Sequence, residues 1–179
     1  MRRTEAGDAE LVARLTGGCE EAWIELYRRY QGRIYRYSLQ MSGSAAIAEE
    51  ATQEAFVAFL DSAGRFDAGR GALAGFLLGI ARNKVLAMLG KQVRVAPLEE
   101  VVVEPNLESG LMREQVRRAV LALPQAYREA VVLCELQELD HAEAAAIAQC
   151  PVGTIKSRLH RAKRMLAERL AERRTGCPA

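Results

Sequence analysis

Residues 139–166 read LDHAEAAAIAQCPVGTIKSRLHRAKRML, a pattern of one short helix, a tight turn and a second, basic helix. In the second half Ile155, Leu159, Ala162 and Leu166 recur at steps of four, three and four, which puts one apolar stripe along a helix. The opposite face carries Gly153, Lys156, Ser157, His160, Arg161 and Arg164. A helix that buries one side and offers cations, hydroxyls and an imidazole on the other suits the phosphates and base edges of a DNA major groove. The preceding segment, roughly Asp140 to Ala148, is rich in alanine, and small side chains permit the close helix contact of a helix-turn-helix. Pro151 fits the start of the second helix, where its missing N–H is harmless. A solvated basic helix on an ordinary bundle carries a similar pattern, so the rest of the chain has to decide.

Charge distribution favours DNA. Between Ser62 and Arg94 the chain has Arg65, Arg70, Arg82, Lys84, Lys91 and Arg94 against the single acid Asp67. From Pro151 onward it has Lys156, Arg158, Arg161, Lys163, Arg164, Arg169, Arg173 and Arg174 against Glu168 and Glu172. The remaining segments are acidic by nearly the same amount, so a net charge of only +2 conceals two positive islands. Two islands imply two contacts on one polyanion.

Composition bounds the alternatives. The 179 residues are half apolar and 6% aromatic, with abundant Ala, Leu, Glu and Arg, which favours an all-α protein of one domain or two small ones. No apolar run is read as approaching the roughly 20 residues that cross a bilayer. MRRTEAGDAEL at the start lacks the apolar centre of a signal peptide. A cytoplasmic protein without membrane insertion is therefore expected. Cys19, Cys134, Cys150 and Cys177 are scattered without a CxxC and read as thiols. Cys134 and His141 lack a local second pair of ligands, so no metal is expected. With two histidines, no Gly-rich phosphate loop and no nucleophile–base pair close in sequence, an enzyme has nothing to build on and no cofactor is implied.

In chain order, Asp8 to Leu15 reads as a short helix stopped by Gly17-Gly18. From Glu20 a longer one carries Trp23, Leu26, Tyr27, Tyr30 and Ile34 as a core stripe. After a break at Met41-Ser42-Gly43-Ser44 a third helix runs from about Ala45 to Leu60. Its Phe56, Phe59 and Leu60 are expected inside, and Glu50, Gln53 and Glu54 form an acidic and polar face that is either a dock for a basic partner or plain surface. Residues 62–71, SAGRFDAGRG, cannot sustain a helix and read as a mobile basic loop. The next helix, Leu73 to Leu89, has Phe76, Leu77, Ile80 and Ala81 as its core stripe, with Gly79, Arg82, Asn83 and nearby Lys84 available to a nucleic-acid strand. From Lys91 to about Leu111 the prolines 97 and 105 and the acids Glu99, Glu100, Glu104 and Glu108 make a self-repelling linker. Helices resume at about Met112 with Val116, Val120 and Leu123 inward, and Pro124 opens a helix that buries Tyr127, Val131 and Cys134 or Leu133. The reading divides the chain into 1–90, a linker at 91–112, a helix-turn-helix domain at 113–174 and a tail at 175–179.

LPQAYREAVVLCELQELDHAEAAAIAQCPVGTIKSRLHRAKRML, residues 123–166, resembles the −35-reading domain of bacterial sigma factors of the compact extracytoplasmic-function (ECF) class. EEATQEAFVAFL (49–60) and GRFDAGRGALAGFLLGIARNK (64–84) look like that class's polymerase-binding and −10-reading segments. The resemblance covers most of the chain in the family's order. It implies a factor that binds core RNA polymerase and directs promoter recognition, promoter melting and transcription initiation. Glu50, Gln53 and Glu54 would meet the clamp helices of the largest polymerase subunit, and the second domain would sit at the flap region. Arg65, Phe66, Asp67 and Arg70 would receive a base flipped out of the −10 element, with Arg82, Asn83 and Lys84 holding the adjoining strand. Gly153, Thr154, Lys156, Ser157, His160 and Arg161 would read the −35 element, and an anti-sigma factor is an implied partner. The chain departs from the family's pattern at Gln149, where the turn commonly has Gly, at Ala144 and Ala148, where larger aliphatics are frequent, and at Ala87, where an aspartate often stands. The alternative is a helix-turn-helix regulator that binds duplex DNA without polymerase, which leaves residues 64–84 without a task.

Overall fold

The computed structural model describes residues 7–92 and 109–175. Among them every regular element is helical: α1 (Asp8–Thr16), α2 (Glu20–Ser42), α3 (Ala45–Ser62), α4 (Leu73–Gln92), α5 (Ser109–Leu121), α6 (Gln125–Val131), α7 (His141–Ile147) and α8 (Val152–Thr175). A single 3-10 turn, Ala63–Arg65, follows α3, and a wide π turn, Val132–Leu136, prolongs α6.

In the first half α2 is the spine, with α1, α3 and α4 laid against it. Leu26, Tyr30, Ile34, Tyr37 and Met41 recur at helical steps and are buried. Trp23 and Tyr27 lie half-buried at the edge of that stripe and stack on Phe56 of α3 with ring centroids 5.7 and 4.8 Å away, so these aromatics are core, as the spacing indicates. The spine stops where Gly43 takes a left-handed conformation (φ 73°) and donates its N–H to the Leu39 carbonyl at 2.8 Å. Ser44 then caps α3 by accepting the Ile47 N–H.

Several inward placements need correction. Phe56 and Phe59 are buried, but Leu60 is 44% exposed, because it falls on the same outer face as Val57. On α4 the fully buried residues are Leu73, Leu77, Leu78, Ala81 and Val85, with Phe76 and Ile80 only half-buried. The segment Leu73–Lys91, 19 residues of mean hydropathy 1.4, does reach the length and composition of a membrane span, contrary to the sequence reading. Its apolar residues instead pack on α2 and α3, and Arg82, Asn83 and Lys84 interrupt its middle. Val116 is 39% exposed, whereas Val120 and Leu123 are buried. Between Leu133 and Cys134 the structure chooses Leu133 as the fully buried residue. The acidic linker is shorter than its expected bounds, since α4 continues through Gln92 and α5 begins at Ser109. Residues 93–108, with all four linker acids, and most of the tail lie outside the described residues.

The two halves touch. One buried apolar cluster contains residues of both, from Leu11 to Ala162. α4 lies against α7, and α2 against α5 and α6. Arg128 of α6 is the main fastener at the end of the spine. Its guanidinium donates to the carbonyls of Met41 (2.6 Å), Leu123 (3.1 Å) and Leu121. Helix C-termini leave carbonyls without intrahelical partners, and one Arg here serves α2 and α5 together. Burial lowers the pKa of that guanidinium from its ordinary value, the direction expected for a cation held away from water.

Gly43 offers a test of this packing. A Cβ there would sit 3.0 Å from Leu121 Cδ1 and would have to adopt a positive φ. Gly43→Ala is expected to lower unfolding free energy by about 1–2 kcal/mol, as read by urea denaturation. No change in the midpoint would show that the end of α2 does not need this conformation.

Candidate nucleic-acid interface

The helix-turn-helix forms around its caps. Asp140 precedes α7, and its carboxylate accepts the N–H groups of Ala142 (2.7 Å) and Glu143 (2.8 Å). Glu143 reaches back to the Asp140 N–H at 3.2 Å, closing a reciprocal capping box. The D-x-x-E spacing was present in the sequence as a start signal. α7 ends at Ile147 with Ala148 as its C-cap, and Gln149 accepts a left-handed turn (φ 53°). The Pro151 carbonyl then receives the N–H groups of Thr154 and Ile155, starting α8.

Burial orients α8 as its spacing requires. Ile155, Leu159 and Ala162 are buried and Leu166 is half-buried. Gly153, Lys156, Ser157, His160, Arg161 and Arg164 are exposed on the other side, with Thr154 at the margin. Ser157 donates to the Thr154 carbonyl at 3.0 Å, which steadies its hydroxyl while leaving acceptor capacity outward. Ala144 and Ala148 are buried, so small residues suffice where α7 meets the core.

The upstream residues are placed less simply. Arg65, Asp67 and Arg70 are exposed, and Phe66 is half-buried with its ring 5.8 Å from that of Phe76. Asp67 organises the loop: its carboxylate accepts the Gly69 N–H at 2.8 Å and its carbonyl the Arg70 N–H at 3.0 Å. Together with Asn83, these four residues line a cleft of about 450 Å³ whose far wall is Glu143, Ala146, Ile147 and Gln149 around α7. Lys84 pairs with Glu54 at 3.1 Å, joining a −10 candidate to a polymerase-binding candidate. Glu50 and Gln53 are exposed on α3, two turns and one turn before the exposed Val57.

Arg82 is the exception. The sequence reading left it available to a DNA strand, but its side chain is 13% exposed and faces the second half. Its Nε lies 2.5 Å from Glu129 Oε1, and its Nη2 donates to the Ala148 carbonyl at 3.2 Å. Glu129 is 6% exposed and was not singled out by any local pattern. Tyr37 lies in the same buried cluster. Among the described residues its hydroxyl has no hydrogen-bond partner, and burial first, then the Glu129 charge, pushes its ionisation well above the usual phenol range. Beside them Arg33 donates to the Gln137 carbonyl at 2.7 Å, and the Gln137 amide to Gln40 at 2.9 Å. These partners stand 47 to 104 positions apart, so no short-range spacing announces them.

Cys19, Cys134 and Cys150 are unbridged, and burial followed by the neighbouring Glu135 raises the Cys134 thiol pKa. Among the described residues no three His, Cys, Asp or Glu side chains gather as metal ligands.

Comparison with known proteins agrees with this geometry. Residues 26–95 match Sigma-70 region 2, and residues 113–166 match Sigma-70, region 4. The chain is 33% identical to the ECF RNA polymerase sigma factor SigM of Mycobacterium tuberculosis over 179 aligned residues, covering 97% of this chain and 90% of that protein. It is 30% identical to the ECF RNA polymerase sigma factor SigE of Mycolicibacterium smegmatis, over 84% of this chain but only 62% of that protein's length. Among solved structures it is similar to the sigma factor RpoE of Bartonella quintana in its co-crystal with the anti-sigma factor NepR, with a TM-score of 0.74 at 25% identity, covering 82% of this chain and 95% of that one.

The capping box predicts a stability effect without a surface effect. Asp140→Ala is expected to cost about 1 kcal/mol, measured as a lowered midpoint in thermal or urea denaturation. An unchanged midpoint would mean that α7 is held by packing alone.

Proposed function

The chain belongs to the extracytoplasmic-function RNA polymerase sigma factors, and from that premise we infer that it joins core RNA polymerase, directs it to promoters bearing −10 and −35 elements and assists strand opening. The polymerase carries out the chemistry, so the chain is a specificity factor and not an enzyme. The observation that carries this reading is the exposed face of α8: cations, hydroxyls and one imidazole are held outward by the buried Ile155, Leu159 and Ala162, in a chain whose first half matches Sigma-70 region 2.

Gly153, Thr154, Lys156, Ser157, His160 and Arg161 are the −35 contacts in this account. Side chains of these types reach base edges and phosphates from a helix in the major groove. Arg65, Phe66, Asp67 and Arg70 take a flipped −10 base in the cleft beside α4, and Arg82, Asn83 and Lys84 hold the strand. Unstacking a base costs on the order of a few kcal/mol, and capture of that base both selects sequence and holds the duplex open. Glu50, Gln53 and Glu54 are the polymerase contacts. We assign the first task to α1–α4 and the second to α5–α8, with residues 93–108 between them as linker. Action on polymerase and chromosomal DNA places the protein in the cytoplasm. Its likeness to a sigma factor bound to NepR supports an anti-sigma partner here as well.

Run-off transcription from a randomised promoter library, with core polymerase and the protein added or withheld, tests the reading. Transcripts are expected only with the protein, and they should share two upstream motifs at a fixed spacing. Arg161→Ala should lose about 1–3 kcal/mol of discrimination at one −35 position. Tight duplex binding without any association with core would instead identify a regulator that acts without polymerase.

A further inference from the structure

We propose that Glu129 is an intramolecular substitute for a promoter phosphate: in the free chain it occupies Arg82 and shuts the −10 surface against the helix-turn-helix, so that closure and strand binding exclude each other. The proposal rests on the reading of Arg82 as a strand contact, and it adds what that side chain does before DNA arrives.

The geometry supplies the competition. A carboxylate and a phosphate offer an arginine the same chemistry, two or more anionic oxygens in reach of a planar fork of N–H donors. Arg82 spends its Nε on Glu129 and an Nη2 on the Ala148 carbonyl, both belonging to the second half. Neither hydrogen bond survives if the guanidinium turns to a DNA strand. The same closure sets Glu143, Ala146, Ile147 and Gln149 across the cleft from Arg65, Phe66 and Asn83, with Glu143, whose carboxylate caps Asp140, adding a negative charge at that wall. An acid there repels a phosphate approaching the −10 surface. Lys84, the next cation on α4, is also engaged, by Glu54.

The closed contact is built to open. Besides the ion pair, it holds the Tyr37 hydroxyl buried without a partner among the described residues, and a buried ion pair adds little net stability over its separated, hydrated groups. Arg33–Gln137 and Gln137–Gln40 add direct bonds across the same junction, but their groups can all be satisfied by water once the halves part. A ligand that binds only the open form therefore loses little at the ion pair itself, and its work is against the shared apolar cluster and the Arg128 bonds.

The test compares the full chain with Glu129→Gln, Arg82→Ala/Glu129→Gln and the charge exchange Arg82→Glu/Glu129→Arg. Circular dichroism checks helicity, small-angle X-ray scattering reads compaction, and anisotropy reads binding of a short fluorescein-labelled single-stranded DNA of mixed sequence. Glu129→Gln is expected to expand the chain and to bind the DNA about tenfold more tightly, the factor for releasing a state about 10% open. Adding Arg82→Ala should abolish that gain. The charge exchange should restore compaction while leaving DNA affinity low, and it carries the test if the single variant fails to fold. An unchanged radius and affinity in Glu129→Gln overturns the latch, without touching promoter selection by the wild type. Expansion whose DNA gain persists after Arg82→Ala overturns the proposal through its premise, because Arg82 would not then be the strand contact.

Discussion

A buried charge needs its partner, and the arrangement of this protein depends on that constraint at Arg82 and Glu129. Each belongs to a different half, and neither is tolerated alone away from water; removing one partner of such a pair costs about 3–5 kcal/mol because the other is left stranded. The pair thereby sets the register of α4 against α6 and α7. Around it the apolar cluster closes, with Ala130, Ala144 and Ala148 small enough for the helices to approach. Arg128 does similar work at the far end of the spine, where its donors meet the carbonyls that α2 and α5 leave unused.

Those fastenings leave two surfaces facing different ways. The α8 face stays exposed, because Ile155, Leu159 and Ala162 fix the helix from beneath and the capped α7 fixes its entry. The −10 surface is partly enclosed, its cleft walled by α7 and its central arginine engaged. On the proposed assignments, a sigma factor folded in this way presents its −35 face before its −10 face. Separation of the halves then becomes a physical step in promoter opening, driven by whatever binds the separated form more tightly.

Much of this could be read from the residues. Helix positions followed from stripes such as Leu26, Tyr30 and Ile34, because a 3.6-residue period reports burial locally. The outward face of α8 followed for the same reason. Gln149 was legible as the position that must accept or avoid a left-handed turn, and it accepts it. What could not be read was which outward positions a second half would cover. Arg82 sits on a polar face of α4 and looks exposed until α6 brings Glu129, 47 positions away, into contact. Leu60 and Val116 failed in the opposite sense: apolar periodicity placed them inward, yet among the described residues no helix covers them on α3 or α5. Leu73–Lys91 is apolar enough to suggest a membrane span only because it is packed on one side by two helices and on another by α7.

The most direct measurement is the distance between spin labels on Val57 of α3 and Arg164 of α8, both exposed, read by pulsed electron resonance on a variant whose native cysteines are replaced. The account predicts one narrow distribution for the free chain, at the separation of the closed structure, and a shifted one when core polymerase is added. A broad distribution in the free chain would contradict it, since the two halves would then be independent before polymerase or DNA arrives.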